Sequence, residues 1–207
     1  RIETLGFGDL SLSQPVVRFS EQMDILSRGL GKRVFGVLGH ATICNYLTTF
    51  DFRRKKVYFY RHTPEAVEEM LNVAGNVSLP FGEHTFSDAS EQIFSVKLVV
   101  NGVELDAVVD LGYNGGLLTT ISPDELEVRR TRLGKTFSVA VCGYTGKGSR
   151  THNVEVQVGE HKRSSVHTIF FDAPSAPRFT LVGVDFLRHF RVTFDYKNKT
   201  LYLVPNS

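Results

Sequence analysis

An internal repeat is the feature that most constrains how this chain can fold. Residues 37–59 (VLGHATICNYLTTFDFRRKKVYF) align without a gap with residues 181–203 (LVGVDFLRHFRVTFDYKNKTLYL), and Gly39 matches Gly183. The two stretches share six identical positions, and most other positions keep their apolar or polar character. Each copy predicts a glycine, a short amphipathic helix, a strand, a charged turn and a second strand. The repeat therefore indicates that one structural unit is built twice.

The similarity between the copies extends upstream with a different offset. Residues 5–19 resemble residues 156–170, with Gly8 opposite Gly159. The change of offset places extra residues in the first copy, somewhere within residues 20–34. The first copy is therefore expected to carry an insertion between its two matched parts.

The unequal copies predict how the chain is organised. Residues 94–153 belong to the second copy and have no counterpart in the first, so we expect the chain to begin within the first unit. The predicted segments are the closing part of a first unit at 1–62, a helix and linker at 63–92, and a complete second unit at 93–207.

Composition and charge narrow the function classes. The net charge is +2 and basic residues are interspersed with acidic ones, which disfavours a nucleic-acid-binding surface. The cationic run at 53–56 (RRKK) predicts an exposed hairpin turn. No apolar stretch is long enough for a membrane-spanning helix. Cys44 and Cys142 are far apart and lack metal-ligand spacing, so we expect neither a metal nor another cofactor.

Short β-rich runs separated by turn signals predict a mostly β protein. Asn101 and Gly102 lie between two apolar runs and predict a type I′ hairpin, because both residues tolerate a positive φ. One helix is predicted at 64–72, with Thr63 as its N-cap and a proline at its first position. The polar residues 75–92 that follow predict a linker.

A carboxylate stands at the end of an apolar strand in the second copy. Residues 107–109 (AVV) precede Asp110, and a glycine-rich turn (LGYNGG) follows it. This order, together with the glycine, helix and hairpin at 181–203, resembles the retropepsin-like and pepsin-like aspartic proteases, in particular the bacterial two-lobe type. The resemblance implies a mostly β acid-protease fold, with a closed, barrel-like lobe repeated twice and the first lobe incomplete.

The resemblance also implies an aspartic endopeptidase in which Asp110 is one of two catalytic carboxylates. Such carboxylates, one per lobe, share a proton because like-charge repulsion stops both from ionising. The ionised carboxylate takes a proton from a water that attacks the peptide carbonyl, and its protonated partner supports the oxyanion and the leaving amine. The implied active-site turn consists of Leu111, Gly112, Tyr113, Asn114 and Gly115.

The expected partners follow from the same resemblance. They are a peptide or protein substrate and a second lobe, supplied by an upstream segment or by a second copy of this chain, which would bring the missing aspartate. Bacterial relatives with this layout are commonly exported, which favours an exported or periplasmic location.

Position 111 departs from the family pattern. The family has a Thr or Ser after the aspartate, and its hydroxyl hydrogen-bonds across the two lobes beneath the catalytic pair. Leu111 cannot make this bond, and a buried partner left without it would lose about 1–3 kcal/mol. The alternative interpretation is therefore a catalytically inactive module of the same fold that binds peptides or mediates dimerisation.

The family also has a hairpin flap that closes over the substrate. By order, the flap corresponds to residues 137–158, with a glycine-rich tip at 143–148. The predicted substrate-binding residues are Tyr144, Thr145 and Gly146. An ordinary turn with an exposed aromatic residue is the alternative for this segment.

Other polar side chains are assigned structural roles. Asp51 and Asp195 match across the repeat, which favours a shared role in the turns, and Asp185 is expected near the first turn of a short helix. The sequence contains neither H-E-x-x-H nor G-x-S-x-G, which disfavours a zincin and an α/β-hydrolase. Solvent-facing or core positions are expected for His152, His161 and His167.

Overall fold

The computed structural model of the protein describes residues 4–7, 10–13, 23–34, 36, 43–84, 93–141 and 143–206. Within these residues strands far outnumber helices, which confirms the predicted mostly β fold class. The strands are β1 (Thr4–Phe7), β2 (Leu10–Ser13), β3 (Tyr46–Asp51), β4 (Lys56–Arg61), β5 (Val77–Pro80), β6 (Gly82–His84), β7 (Ile93–Val100), β8 (Val103–Val109), β9 (Leu117–Thr119), β10 (Phe137–Val141), β11 (Tyr144–Thr151), β12 (Val156–Val158), β13 (His161–Arg163), β14 (Thr168–Asp172), β15 (Thr180–Val182), β16 (Phe190–Asp195) and β17 (Thr200–Pro205).

Three short α-helices accompany the described strands: α1 (Met23–Leu30), α2 (Pro64–Leu71) and α3 (Val184–Leu187). A single 3₁₀ turn at Arg130–Arg132 is also found in this part of the chain. Among the described helices, none is both long and apolar enough to cross a membrane.

The described strands form two large sheets and one separate hairpin. The larger sheet has the order β10-β11-β14-β9-β15-β8-β7-β12-β13, with β6 also paired to β7. Its strand order runs as an open path from β10 to β13 within the described residues. The second sheet has the order β4-β3-β16-β17-β5, and β1 pairs with β2. The second sheet joins the two copies of the repeat side by side, because β3 and β16 are equivalent strands.

A pseudo-two-fold axis relates the two halves of the second sheet. Thr49 lies opposite Thr193, which is its own equivalent in the repeat, and their Oγ1 atoms are hydrogen-bonded at 2.7 Å in a buried position. On either side of this pair, Asp51 faces Arg191 and Asp195 faces Leu47, which are equivalent pairs with the copies exchanged. The strand register therefore reproduces the repeat found in the sequence.

The upstream part of the repeat is also visible in the strand register. Leu5 faces Leu12 in the β1–β2 hairpin, as Val156 faces Arg163 in the β12–β13 hairpin. The helix α1 lies within the segment that holds the extra residues of the first copy. Gly8 and Gly39, which mark the alignment, lie outside the described residues.

The hairpin between β7 and β8 has the predicted turn. Asn101 and Gly102 have φ values of 48° and 87°, as a type I′ turn requires. Asn101 also fixes this hairpin to the rest of the unit: its Nδ2 donates to the Leu126 carbonyl at 2.8 Å, and its Oδ1 accepts from the Glu155 amide at 2.8 Å. The side chain thus has a tertiary role that the turn pattern alone did not predict.

The predicted helix and its cap are confirmed. The helix α2 begins at Pro64, and Thr63 Oγ1 accepts a hydrogen bond from the Ala66 amide at 3.3 Å.

Part of the segment predicted to be a linker forms strands instead of a loop, since β5 pairs with β17 and β6 pairs with β7. Burial of Leu79 and Phe81 in the core explains why these strands are held.

The apolar core lies on both faces of the larger sheet. Successive side chains of β8 point to opposite faces, so that Ala107 belongs to a larger cluster and Val108 to a smaller one. The larger cluster joins this sheet to the second one through β16 and β17, with Phe194 and Leu201 among its members. The carboxyl end of β8 is therefore supported by packing on both sides.

Candidate active site

Asp110 stands at the carboxyl end of β8, where the strand leaves the packed sheet. β8 runs parallel to β15, with Val109 opposite Val182, and the Asp110 amide continues the ladder by donating to the Val182 carbonyl at 3.0 Å. The side chain of Asp110 is partly exposed. Pairing with the neighbouring strand fixes the backbone position of Asp110, and its side chain remains accessible to a ligand.

The turn after Asp110 orients its carboxylate. The Gly112 amide donates to Asp110 Oδ1 at 2.8 Å, and the Tyr113 amide donates to the Asp110 carbonyl at 3.3 Å. A Cβ placed on Gly112 would lie 3.1 Å from the same Oδ1, which leaves little room for a side chain there. A hydrogen bond from a backbone amide fixes the position of one carboxylate oxygen.

A second loop interlocks with this turn. The loop that follows β15 donates three backbone hydrogen bonds to it: Gly183 to the Gly116 carbonyl at 2.8 Å, Val184 to the Tyr113 carbonyl at 2.8 Å and Asp185 to the Gly115 carbonyl at 3.1 Å. A Cβ on Gly183 would overlap the Tyr113 and Gly115 carbonyl oxygens, so only glycine fits this crossing. The glycine that marks the repeat in the sequence is therefore the contact point of the two loops.

Tyr113 supports the turn from inside. Its hydroxyl donates to the Leu117 carbonyl at 3.0 Å, and its ring packs against the smaller core cluster, in the space that a Cβ on Gly115 would fill. Burial, together with the smaller effects of the charges of Asp185 and Asp110, raises the pKa of Tyr113 to about 12. The phenol is therefore protonated at neutral pH and acts as a hydrogen-bond donor.

Leu111 and Asn114 occupy contrasting environments in the same turn. Leu111 is half-buried and packs against the larger core cluster, whereas Asn114 is exposed to solvent. An apolar side chain at position 111 thus fills space within one unit. Position 111, where the resemblance led us to expect a hydroxyl, therefore has a packing role in this chain.

The predicted flap is a hairpin whose turn lies earlier than expected. β10 and β11 pair from Val141 opposite Tyr144 onward, and Cys142 between them lies outside the described residues. Tyr144, Thr145 and Gly146 are therefore strand residues of β11. The pairing of β11 with β14 begins only at Lys147, so these three residues extend beyond the neighbouring strand.

The end of this hairpin is packed on one face and open on the other. Tyr144 is half-buried against the smaller core cluster, and Thr145 is exposed. A Cβ on Gly146 would come 2.9 Å from both Ala173 and Phe171, which shows how closely the strand approaches this cluster. The glycine-rich sequence serves close packing here as well as turn formation.

Sequence reasoning missed a histidine pair beside the turn. The rings of His152 and His167 lie 5.0 Å apart between centroids, and the His167 carbonyl accepts from the Leu117 amide at 2.9 Å. Burial lowers the pKa of His167, and the charge of His152 lowers it further, against the opposing charge of Asp185. The register of β11 with β14 could have revealed the pair, because Thr151 faces Thr168.

A second carboxylate near the turn, that of Asp185, has a structural partner. Asp185 lies in the first turn of α3, as predicted, and pairs with Arg188 at 2.7 Å. Within the described part of the chain, no three His, Cys, Asp or Glu side chains form a group that could hold a metal ion. The chemistry that the described arrangement offers is that of an oriented, accessible carboxylate on a rigid turn.

Comparisons with known proteins give matches at the level of structure. No protein-family model matches the chain, and no curated protein matches its sequence. A retropepsin-like aspartic protease from Rickettsia conorii aligns with a TM-score of 0.40 and 18% identity, over 60% of this chain and 92% of that one. EIAV protease in complex with the inhibitor HBY-793 aligns with a TM-score of 0.32 and 17% identity, over 51% and 92% of the two chains. Basic 7S globulin from soybean aligns with a TM-score of 0.45 and 9% identity, over 89% of this chain and 54% of that one.

Proposed function

We propose that this chain contributes Asp110 as one of the two catalytic carboxylates of a retropepsin-like aspartic endopeptidase. The observation that carries the proposal is the interlocked turn at the end of β8. There the Gly112 amide orients the Asp110 carboxylate, and the loop that begins at Gly183 holds the turn through backbone hydrogen bonds. Catalytic groups need this kind of preorganisation, since a shift of about 1 Å can cost about a hundredfold in rate.

The proposed reaction uses Asp110 together with a second carboxylate. One of the two removes a proton from a water while that water attacks the carbonyl carbon of the scissile peptide. The other, protonated, donates to the developing oxyanion, and the proton on the first passes to the leaving amine as the C–N bond breaks. Asp110 Oδ1 accepts a hydrogen bond from the Gly112 amide, which holds the carboxylate in position for either role.

The second carboxylate is proposed to come from a second lobe. The pseudo-two-fold axis through Thr49 and Thr193 relates the two copies of the repeat within one sheet. A lobe completed around the first copy, in the same polypeptide or in a partner molecule, would bring an equivalent aspartate toward Asp110 by the same axis. The predicted division of the chain at 1–62, 63–92 and 93–207 is part of this proposal.

The hairpin of β10 and β11 is proposed to cover the substrate. Its end extends past β14 and carries Tyr144 with one face packed and Thr145 exposed. A strand end without a neighbour on one side can move as a unit, as closing elements over active sites do. In this proposal Tyr144, Thr145 and Gly146 line the substrate, and Asn114 approaches it from the turn.

The test is cleavage of a mixed peptide library by the full-length protein, from acidic to neutral pH, compared with Asp110→Asn. We expect the substitution to lower the cleavage rate by at least about a hundredfold, the lower end of general acid–base effects. Asp106→Asn is the matched control, because Asp106 is an exposed carboxylate on the same strand whose partner is Lys97. Equal activity of the wild type and Asp110→Asn would remove Asp110 from the mechanism.

A non-catalytic peptide-binding or dimerising module is the second candidate. The observation that favours it is Leu111, which packs into the core of its own unit and has no hydroxyl to offer across an interface between lobes. In this case the library is bound but not cleaved, and Asp110→Asn leaves binding unchanged. Mass spectrometry of the products and pull-down of the library peptides distinguish the two functions in one experiment.

A further inference from the structure

Two adjacent cavities form a groove where the two copies of the repeat meet, and neither is lined by the Asp110 turn or by Tyr144–Gly146. The larger cavity, about 600 Å³, is lined by residues that include Arg53, Lys162, Arg163 and Arg188. The smaller, about 440 Å³, shares Arg53, Pro205 and Asn206 with it and adds Arg54 and Arg191. We call these two cavities together the basic groove.

The basic groove concentrates the positive charge of the chain. Its lining includes six Lys or Arg side chains against two carboxylates, Asp51 and Glu160, an excess of four positive charges. The whole chain has an excess of only two, so the rest of the molecule is net negative. A concave surface of one sign raises the local concentration of ligands of the opposite sign. The groove is therefore suited to an anionic ligand.

The arginines differ in how far their charge is already compensated. Arg188 pairs with Asp185 at 2.7 Å and Lys162 with Glu155 at 3.4 Å. Arg163 instead donates to His189 Nε2 at 3.0 Å, and no carboxylate of the described residues lies within ion-pair distance of it. A hydrogen bond to a ring nitrogen orients the guanidinium without neutralising it.

The partner of Arg163 is kept neutral by its surroundings. Burial lowers the pKa of His189, and the charges of Arg163 and Arg188 lower it further, against the opposing charge of Asp185. A neutral imidazole can accept from Arg163 at the nitrogen that faces it. The guanidinium of Arg163 is thus held in one orientation at the groove and keeps its positive charge. A carboxylate in the groove could bind it with two parallel hydrogen bonds.

The wall formed by β13 indicates the class of ligand. His161, Lys162 and Arg163 are consecutive in this strand, and all three line the larger cavity. Side chains of a strand alternate between its faces, so consecutive residues share one cavity only where that cavity meets the edge of the strand. β13 is the last strand of the larger sheet in the described order and pairs there with β12 alone. Its outer edge offers main-chain groups that pair with a polypeptide and not with a nucleic acid.

Apolar side chains complete the lining. Phe52, Phe190 and Pro205 lie among the cationic groups of the larger cavity, and Val73 and Val204 line the smaller one. Interleaved apolar and cationic groups match a chain in which apolar and acidic residues alternate. The two cavities share three lining residues, and their combined volume exceeds what a single small anion needs.

We propose that the basic groove binds an extended acidic segment of a partner protein, which adds as a strand to the outer edge of β13 and places carboxylates against Arg163 and Arg53. The site is separate from the Asp110 turn, and the proposal does not depend on peptide cleavage. It assigns to the junction of the two copies a recognition role for acidic, apolar-alternating sequences.

The test measures binding of a fluorescein-labelled peptide of alternating Glu and Val to the full chain by fluorescence anisotropy. We expect saturable binding that weakens with added salt and that is lowered about tenfold or more in Arg163→Glu, since reversing one of the contacting charges also introduces repulsion. Arg132→Glu is the matched control, because Arg132 is an exposed arginine outside the groove and its reversal should change affinity less than about twofold.

Three further probes make the result decisive. A peptide of alternating Lys and Val should not bind, and the acidic peptide with N-methylated alternate amides should lose binding, because it can no longer pair with β13. An oligonucleotide of the same charge should bind more weakly than the acidic peptide. Equal binding of the oligonucleotide, no effect of N-methylation or no effect of Arg163→Glu would each overturn the proposal. Arg53→Glu replaces Arg163→Glu if circular dichroism shows that the latter does not fold.

Discussion

The two hairpins of the repeat, β3–β4 and β16–β17, share their local structure and differ in their surroundings. Lys55 and Lys199 are equivalent residues of the two turns, with φ values of 55° and 49°. Asp51 Oδ1 accepts from the Arg54 amide at 2.8 Å, and Asp195 Oδ1 accepts from the equivalent Asn198 amide at 2.9 Å. The shared turn role predicted for the two aspartates is confirmed, and so is exposure of the cationic run at residues 53–56.

Burial separates the same two hairpins. Val57 on β4 is 46% exposed, whereas its equivalent Leu201 on β17 is fully buried. β17 pairs with β5 on its outer side, and Leu201 belongs to the larger core cluster. Among the described strands, β4 pairs with β3 alone. The conformation of each turn thus depends on the local sequence of its copy. The burial of each hairpin depends on the other segments that pack against it. Substitutions at equivalent positions can separate these two contributions.

The largest difference is expected between Leu201→Ala and Val57→Ala. Leu201 is part of the larger core cluster, and its truncation leaves a cavity, so the free energy of unfolding should fall by about 3 kcal/mol. The Val57 side chain is largely in contact with solvent, so its truncation should lower the free energy of unfolding by less than about 1 kcal/mol. Urea denaturation of the two variants measures both values. Similar losses would mean that the outer face of β4 is covered in the folded protein.

A smaller difference is expected between Asp195→Ala and Asp51→Ala. Asp195 is fully buried, and besides its turn amide it interacts with His62 Nε2 at 2.8 Å and accepts from Asn198 Nδ2 at 2.9 Å. Removing this buried acceptor leaves the partly buried His62 ring and two N–H groups of Asn198 without their partner, and should cost about 2 kcal/mol. The Asp51 side chain accepts from the Arg54 amide and lies 3.7 Å from the exposed Arg54 guanidinium, a weaker set of contacts, so the cost should be about 1 kcal/mol.

His62→Ala is the control for this second comparison. It removes the hydrogen bond that the Asp195 side chain makes with a residue outside its own hairpin, and it leaves both turn amides paired. If the extra stability of the second aspartate comes from His62, then Asp195→Ala measured in the His62→Ala background should cost about as much as Asp51→Ala. An unchanged cost in that background would place the difference within the turn itself.

The features that sequence predicted are those whose cause is local. The Asn101-Gly102 turn and the Thr63 cap each depend on residues close together in the chain, and the structure has both. The position of Asp110 at a strand end followed from an apolar run that stops at a glycine-rich turn. Local steric and capping preferences carry this information, so a single sequence suffices to predict such features.

The features that sequence missed depend on contacts between distant segments. β5 lies in a polar stretch that resembles a linker, and it is held as a strand because β17 pairs with it from the far end of the chain. The basic groove collects cationic residues from three separate segments, so their concentration is invisible in a sequence where acidic residues are interspersed. The histidine pair beside the Asp110 turn likewise requires the register of β11 with β14.

The smallest expected effect tests how far the two turns are equivalent. Lys55 and Lys199 both adopt the left-handed conformation, in which a side chain with a Cβ is strained and glycine is not. Lys55→Gly and Lys199→Gly should each relieve this strain, partly offset by the greater freedom of glycine in the unfolded chain, with a net stabilisation of about 0.5 kcal/mol. Thermal denaturation of the single and double variants measures the gains, which should be equal and additive because the two turns are far apart in sequence and make the same local contacts. A gain at one turn only would show that tertiary packing, and not the local turn, selects the left-handed conformation at the other.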